Sequence, residues 1–287
     1  MSMDFKKVAI LGGGLLGGSL ALALAQKHSG TEVTLWSRRE ETTMRARELG
    51  ISGATSDLRT AVAGADLVVL AVPVGGMPAL VQAALEAGLN TGALVTDVGS
   101  VKGIVHSTLP AVLATHGVVF IGSHPMAGSE HGGIGAAKAS LFESAACILT
   151  DDQHAPAALR TSLEGFWQAV GCRTAWMISA IHDELVARIS HLPHVIAAAG
   201  ATVALRDTGD GRFAGGGLRD TTRVAGGDPE MWTEILLENR EALAAPLRET
   251  IANLREMLAS LEAGDHESVH RLLATAKVRR DALPTHR

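Results

Sequence analysis

Short apolar runs alternate with amphipathic stretches through the first half of the chain, and this alternation predicts a layered α/β domain. Apolar runs of strand length indicate strands buried on both faces, which is typical of parallel sheets covered by helices. The predicted strands lie at residues 8–11, 32–36, 66–72, 93–97, 118–121, 146–150 and 173–177. Helical patterns lie at residues 15–27, 40–49 and 155–170. The first half is therefore predicted to be a doubly wound sheet with helices on both faces.

The pattern changes after residue 177, where helical periodicity replaces strand-like runs. Three long helical patterns follow, at residues 178–205, 231–263 and 266–283. We therefore divide the chain into an α/β domain, residues 1–177, and an all-helical domain, residues 178–287. Long apolar helices in so small a domain need more surface to pack against than the chain supplies. We expect a homodimer formed through these C-terminal helices.

Composition and charge narrow the classes of partner. The chain has 287 residues, of which 47% are hydrophobic, and a net charge of −5 without a basic run. This argues against nucleic acid or an anionic membrane surface as the partner. No apolar run reaches the roughly 18 residues that span a bilayer, and the N-terminus lacks a signal-like apolar core. We expect a soluble, cytoplasmic protein that acts on a small molecule.

A glycine-rich loop joins the first predicted strand to the first predicted helix. Gly12 permits a tight turn, Gly14 lets the backbone approach a pyrophosphate, and Gly17 allows the helix to pack closely on the strand. The predicted helix begins at Leu15, and the free N–H groups of its first turn, which includes Leu16, are expected to face the phosphates of a bound dinucleotide. A glycine turn that binds nothing is the alternative, but the strand–loop–helix context favours a dinucleotide site.

The end of the second strand indicates which nicotinamide cofactor is used. Enzymes that prefer NAD usually have an acidic residue there, whereas this chain has Ser37 followed by Arg38 and Arg39. Two guanidinium groups suit a 2′-phosphate, so we predict NADP, with NAD as the alternative. The opposing interpretation is that both arginines simply begin a solvated helix. Val72, at the end of the third strand, is expected to border the same site.

Six segments, taken in order, resemble the prephenate/arogenate dehydrogenase family. They are GGGLLG at 12–17, DVGSVK at 97–102, GSHPMAGSE at 122–130, HD at 182–183, SHLPH at 190–194 and DTTR at 220–223. The resemblance covers nearly the whole chain and implies a Rossmann domain followed by a helical dimerisation domain. It also implies oxidative decarboxylation of prephenate or arogenate, with hydride transfer to NAD(P), in tyrosine biosynthesis. It leaves the preference between the two substrates open.

The resemblance also implies roles for individual residues. His124 is the expected general base for the substrate hydroxyl, which suits a neutral imidazole near pH 7. Ser100 is expected near the same hydroxyl. Arg223 is expected to bind a substrate carboxylate, with Asp220 three residues earlier on the same helical face to orient it. For Arg223 the alternative is a structural ion pair with Asp220.

Three further residues are expected at the substrate pocket. Glu130 matches a family acid that helps to close it, although a capping or solvated glutamate is the alternative. One of His191 and His194 is expected to line the pocket, and the sequence does not say which. Two histidines at this spacing are also compatible with a metal. We predict none, because the nearby carboxylates lie over two turns earlier and the oxidation needs no Lewis acid.

Two other functions compete with this interpretation. A β-hydroxyacid dehydrogenase or imine reductase also joins a Rossmann domain to a helical one, but commonly uses a lysine on the long helix. Residues 178–205 contain no lysine. A sensor that binds NADP without turnover would leave the grouping of His124, Ser100, Arg223 and Glu130 unexplained.

Overall fold

The computed structural model describes residues 5–27, 30–129 and 131–283. Its strands are β1 (Lys7–Leu11), β2 (Glu32–Trp36), β3 (Ala54–Thr55), β4 (Leu67–Leu70), β5 (Leu94–Asp97), β6 (Val119–Phe120), β7 (Gly122–Pro125), β8 (Ala146–Thr150) and β9 (Arg173–Met177). Its helices are α1 (Leu15–Lys27), α2 (Glu40–Glu48), α3 (Leu58–Val62), α4 (Met77–Glu86), α5 (Gly103–Ala114), α6 (Ala157–Ala169), α7 (Ser179–Val186), α8 (Leu192–Ala204), α9 (Gly216–Thr222), α10 (Pro229–Glu238), α11 (Arg240–Glu262) and α12 (His266–Asp281).

The first six strands form one parallel sheet in the order β3-β2-β1-β4-β5-β6. Side chains of β1 alternate between two hydrophobic cores, with Val8 and Ile10 in one and Ala9 and Leu11 in the other. All four are fully buried, which explains the uninterrupted apolar run in the sequence. The strand order reverses between β1 and β4, and ligands of such sheets bind beyond the carboxyl ends of the strands at this point.

A second, three-stranded sheet follows, in the order β7-β8-β9. β8 and β9 are parallel and lie where the sequence pattern predicted them, whereas β7 pairs antiparallel to β8 and was not predicted. Its residues, Gly-Ser-His-Pro, carry no apolar strand signal. They are nevertheless buried along their whole length, so β7 holds His124 in a fixed backbone position.

The first predicted long helix is divided in three. α7 ends at Val186, residues Ala187–His191 form a wide π-helical segment, and α8 begins at Leu192. Pro193 has no N–H to donate to the carbonyl four residues earlier, so the regular α-helical hydrogen bonding is interrupted at this point. Single π turns of this kind are frequent at functional sites, and this one carries Ser190 and His191.

The second predicted long helix is also divided, at Asn239, into α10 and α11. The described chain forms two compact units that meet in sequence here. One ends at Asn239 and the other begins at Arg240. α7 to α10 belong to the first unit, and α11 with α12 forms the second. The predicted domain boundary after residue 177 rests on the sequence pattern and stays a prediction. None of the helices in the described part of the chain is long and apolar enough to cross a membrane.

Candidate active site

The glycine loop after β1 is packed tightly on one side and open on the other. A Cβ on Gly12, where φ is +136°, would lie 2.1 Å from the carbonyl oxygen of Ala71. A Cβ on Gly17 would lie 1.9 Å from the carbonyl oxygen of Gly12. Gly14 has no heavy atom within 4 Å of its Cβ position, so this point of the loop is free for a phosphate to approach. The loop therefore fits the cofactor that its sequence predicts.

Two neighbouring cavities lie at the carboxyl ends of the parallel strands. The first has a volume of about 550 Å³ and the second about 670 Å³. Both are lined by Gly14, Ala71, Val72, Pro73 and Gly133, so they adjoin along the glycine loop and the end of β4. A dinucleotide needs a groove of this kind, with one end for the adenosine and the other for the reactive nicotinamide.

The second cavity contains the residues that are expected to select the cofactor. Ser37, Arg38 and Arg39 line it together with Thr42 of α2. The Ser37 hydroxyl accepts a hydrogen bond from the backbone N–H of Arg39 at 3.4 Å. No carboxylate is among the described residues that line this cavity. The cavity therefore offers cationic side chains, and no acidic partner for ribose hydroxyls, at the end of β2.

The first cavity contains His124, which is held by a chain of hydrogen bonds. His124 Nδ1 lies 2.8 Å from Nε2 of His182, and His182 Nδ1 lies 2.8 Å from Oδ1 of Asp183. The Asp183 carboxylate accepts the backbone N–H groups of Lys102 and Gly103, each at 2.8 Å. These are amides at the start of α5, where N–H groups have no partner within the helix. The chain therefore ties His124 to a helix N-terminus.

The electrostatics of this chain keep His124 neutral. Burial lowers the pKa of His124 well below 6.5, and the nearby positive charge of Lys102 lowers it further. Burial also lowers the pKa of His182, although its hydrogen bond to Asp183 acts in the opposite direction. A buried, neutral imidazole is able to accept a proton at neutral pH.

A fully buried ion pair lies next to the chain. Lys102 Nζ contacts Oδ2 of Asp97, and both side chains are inaccessible to solvent. Asp97 also accepts hydrogen bonds from the backbone N–H of Gly99 at 2.8 Å and of Ser123 at 3.2 Å. Burial lowers the pKa of Lys102, while Asp97 raises it. The pair links the end of β5 to β7, and so supports the strand that carries His124.

His191, on the π turn, presents a buried donor at the same cavity. Asn239 Nδ2 donates to the carbonyl oxygen of Asp183 at 2.9 Å and lies 3.0 Å from His191 Nδ1. Because this amide nitrogen can only donate, His191 Nδ1 must accept, and the ring proton is on Nε2. Nε2 is buried and has no partner among the described residues. Burial lowers the pKa of His191 to about 4, so the ring is neutral.

Comparison with known proteins identifies the chain. A family model described as prephenate dehydrogenase, nucleotide-binding domain, matches residues 20–176, and one described as prephenate dehydrogenase, dimerization domain, matches residues 179–275. The chain belongs to the prephenate dehydrogenase family. This confirms the resemblance read from the sequence motifs and the predicted order of a Rossmann domain and a helical domain.

Individual relatives agree with this assignment. Cyclohexadienyl dehydrogenase from Zymomonas mobilis subsp. mobilis is 38% identical, with 91% of this chain and 90% of the relative covered. The crystal structure of prephenate dehydrogenase from A. aeolicus in complex with hydroxyphenyl propionate and NAD+ has 29% identity and a TM-score of 0.85, covering 98% of this chain and 99% of that one. Synechocystis arogenate dehydrogenase has 29% identity and a TM-score of 0.79, covering 96% and 99%.

The family assignment makes this protein an oxidoreductase that uses a nicotinamide cofactor. The matches do not favour a β-hydroxyacid dehydrogenase, an imine reductase or a sensor without turnover. Among the described residues, no cluster of side chains that could hold a metal ion is present.

The structure of this prephenate dehydrogenase family member brings many of the expected site residues together at the first cavity. Its lining includes Gly14, Leu15, Leu16, Val72, Ser100, His124, His191 and Arg223. His194 is not one of the residues that line it, but stacks on Trp232, which is. Asp220 is exposed on α9 and does not line the cavity. Glu130 lies outside the described residues.

Four residues of the site received no role from the sequence: His182, Asp183, Trp232 and Asn239. The His-Asp pair at 182–183 was part of the motif set, so a signal for it existed without a function attached. Trp232 and Asn239 carried no signal, because they lie in and directly after α10, far along the chain from His191 and His194. Only the folded chain brings these groups together.

Proposed function

We propose that this prephenate dehydrogenase family member oxidises and decarboxylates prephenate, arogenate or both, with His124 as the general base. The observation that carries this proposal is the position of His124. It lies on the wall of the first cavity, which adjoins the glycine loop, and its Nδ1 is already engaged by His182. Nε2 is therefore the nitrogen left to receive a proton from a substrate.

The reaction makes one demand on the protein at the hydroxyl end of the substrate. Both substrates are cyclohexadienols with a 4-hydroxyl group and a ring carboxylate. A nicotinamide held at the glycine loop would supply the acceptor for the hydride that leaves C4. His124 takes the hydroxyl proton as this hydride leaves, and returns it to the oxygen as CO2 departs and the ring becomes aromatic. Protons therefore balance within the site. Ser100 lines the same cavity, and we assign to it the orientation of the hydroxyl.

The carboxylates of the substrate make the second demand. Arg223 lines the cavity and provides a planar, permanently charged fork that suits a carboxylate. The Nε2–H of His191 is a buried donor on the same cavity. An unpaired buried donor is costly, and a bound carboxylate oxygen would remove that cost. We therefore assign Arg223 and His191 to substrate binding. Asp220 and His194 do not line the cavity, and we assign them no direct contact with the substrate.

For the cofactor, we propose NADP in preference to NAD. Support comes from the cavity at the end of β2, where Arg38 and Arg39 are present without a carboxylate in the described lining. A 2′-phosphate would form charge-assisted hydrogen bonds with such a pair. Gly12, Gly14, Leu15, Leu16 and Gly17 would hold the pyrophosphate at the start of α1.

We also propose that the protein forms a homodimer through its C-terminal helices. Ile251, Leu254, Leu258 and Leu261 of α11 recur at helical spacing, and each is at least 41% exposed. Such an apolar stripe favours burial against a partner. Light scattering should give a mass near twice the 29.8 kDa of the chain. A Leu254→Glu, Leu258→Glu variant should shift the mass toward one chain, whereas a wild-type monomer at micromolar concentration would refute this proposal.

Initial rates with each cofactor against each substrate test the catalytic proposal. The four values of kcat/KM rank prephenate against arogenate and NADP against NAD. Turnover of either substrate supports the proposed reaction. Folded protein that binds NADP but turns over neither substrate would refute it and would restore the hydroxyacid dehydrogenase and sensor alternatives.

A further inference from the structure

The hydrogen-bond chain behind His124 determines which of its nitrogens carries the proton. A carboxylate can only accept hydrogen bonds, so the 2.8 Å contact between Asp183 and His182 places a proton on Nδ1 of His182. Asp183 is ionised at neutral pH: burial acts to raise its pKa, but the hydrogen bonds from His182, Lys102 and Gly103 lower it overall. The first link of the chain is thus fixed at the helix N-terminus.

The second link follows from the first. The pKa of His182 is lowered by burial, so the ring is neutral and its Nε2 has a lone pair when Nδ1 carries the proton. His124 Nδ1, 2.8 Å away, must then be the donor. With its single proton on Nδ1, neutral His124 has its lone pair on Nε2. The opposite tautomer would present an N–H to the substrate hydroxyl and could not act as a base.

The packing leaves this chain little freedom to rearrange. His182 is completely buried, and His124 retains 7% of its surface. The backbone carbonyl of Asp183 accepts from Asn239, so the same residue is held by groups from α5 and from the end of α10. His124 lies in β7, at the edge of the second sheet, where it is paired with Ile148 of β8. His182 therefore has Asp183 as the partner of one ring nitrogen and His124 as the partner of the other. Nδ1 of His124 has His182 as its partner.

We propose that His182 and Asp183 are positioning residues that set the tautomer and orientation of His124. Asp183, anchored on the amides of α5, orients His182, and His182 accepts the Nδ1–H of His124. The role is that of an acceptor and requires no proton transfer beyond His124. The inference rests on the proposed function of His124 as the base, but the proton positions themselves are measurable without turnover.

The direct test is nitrogen-15 NMR of the imidazole rings in the full-length protein. Single histidine variants assign the signals. The expected result is that His124 and His182 both carry their proton on Nδ1 at neutral pH. A proton on Nε2 of either ring overturns the proposal, whether or not the enzyme turns over prephenate. Failure of the proposed function would instead appear as an inactive enzyme in which both rings carry Nδ1–H.

Two substitutions of His182 distinguish its role as a hydrogen-bond acceptor from its role in packing. In His182→Gln, the amide oxygen is able to accept from His124 while the amide nitrogen donates to Asp183. His182→Leu fills the space but accepts nothing. We expect His182→Gln to keep kcat within about 10-fold of wild type and the Nδ1–H signal of His124. We expect His182→Leu to lose about 10²-fold or more in kcat, with the signal moved to Nε2. Equal kcat in both variants overturns the proposal.

Asp183 also caps a helix, and a matched variant controls for that. Asp57 accepts the backbone N–H groups of Arg59 and Thr60 at the start of α3, away from the cavity. Both Asp183→Ala and Asp57→Ala should lower the melting temperature. Only Asp183→Ala should also lower kcat, by about 10-fold or more, and mix the tautomers of His182. A kcat of Asp183→Ala that matches Asp57→Ala would overturn the role of Asp183.

Discussion

His194 lies flat against the indole of Trp232, with ring centroids 3.6 Å apart and ring planes 11° from parallel. His191 meets the same indole edge-on, at 6.2 Å and 86°. A Cβ on Gly227 would lie 2.4 Å from Nε1 of Trp232, so a glycine is needed beneath the ring. The indole is thus fixed between α8 and the turn before α10 and forms one wall of the first cavity.

Loss of this wall should weaken substrate binding. A stacked aromatic pair contributes about 0.5–1.5 kcal/mol beyond the area it buries. We therefore expect Trp232→Ala to raise KM for the substrate about 2- to 13-fold and to change kcat less. Trp232→Phe, which keeps a flat ring, should stay closer to wild type. Steady-state kinetics with Leu237→Ala, an exposed position on the same helix, provides the control. An unchanged substrate KM in Trp232→Ala would contradict this role.

Removal of the proposed base should act on turnover rather than on binding. General-base catalysis contributes a factor of about 10²–10⁴. His124→Asn should therefore lower kcat by that factor, while KM changes little because the substrate carboxylates are bound elsewhere. Pre-steady-state kinetics should place the loss in the hydride-transfer step. Near wild-type turnover in folded His124→Asn would show that another group takes the proton.

Arg223 should behave in the opposite way. Hydrogen bonds to charged groups contribute about 1.5–3 kcal/mol, which corresponds to about 10- to 150-fold in binding. Arg223→Ala should raise KM by that factor, and Arg223→Lys should restore part of the loss, because an ammonium keeps the charge but not the fork. Arg219→Ala, an exposed neighbour on α9, is the matched control. A fall in kcat with unchanged KM would mean that Arg223 acts on the transition state instead.

The arginines of the second cavity should discriminate between cofactors. Arg38→Ala should raise KM for NADP about 10-fold or more and leave KM for NAD nearly unchanged, because only NADP carries a 2′-phosphate. Arg45→Ala, whose side chain is paired with Glu48 on the surface, should affect neither. Equal losses with both cofactors would indicate that Arg38 holds the dinucleotide at a shared group.

The parts of the fold that the sequence predicted are those with a strong local pattern. α1, β2, β8 and β9 have the predicted bounds, because a buried strand or an amphipathic helix imposes its own periodicity. β3 has only two residues, and β7 is a polar segment whose burial comes from its neighbours. The π turn at 187–191 has no periodicity of its own. The sequence therefore predicted one helical pattern through this region, with an interruption at Pro193 as its only irregularity.

The site divides in the same way. Ser100, His124 and Arg223 lie in short motifs, so a match of residue types located them. The function of His182 depends on a hydrogen bond to a residue 58 positions away, and that of Asn239 on one across 48 positions. No local pattern encodes such pairings. His191 lines the first cavity and His194 does not, a difference that their positions three residues apart on one helical face could not predict.

Acid should destabilise this protein over a defined range of pH because His124, His182 and His191 are neutral in the folded state. The pKa values of His124 and His182 are lowered by burial, and that of His191 falls to about 4. Between the unfolded value of about 6.5 and these lower values, the unfolded chain binds more protons than the folded one. The free energy of unfolding should therefore be highest above pH 6.5 and fall as the pH decreases toward 4.

Urea unfolding at pH 7.5, 6 and 5 measures this dependence. His191→Gln keeps an acceptor for Asn239 but cannot be protonated, so its stability should fall less between pH 7.5 and 5 than that of the wild type. His116→Gln, at an exposed position, is the matched substitution of a histidine outside the buried cluster. If His191→Gln and wild type lose the same free energy over this range, His191 is not the titrating group. A stability that rises below pH 6.5 would contradict the neutral state of the whole cluster, including the form of His124 that catalysis requires.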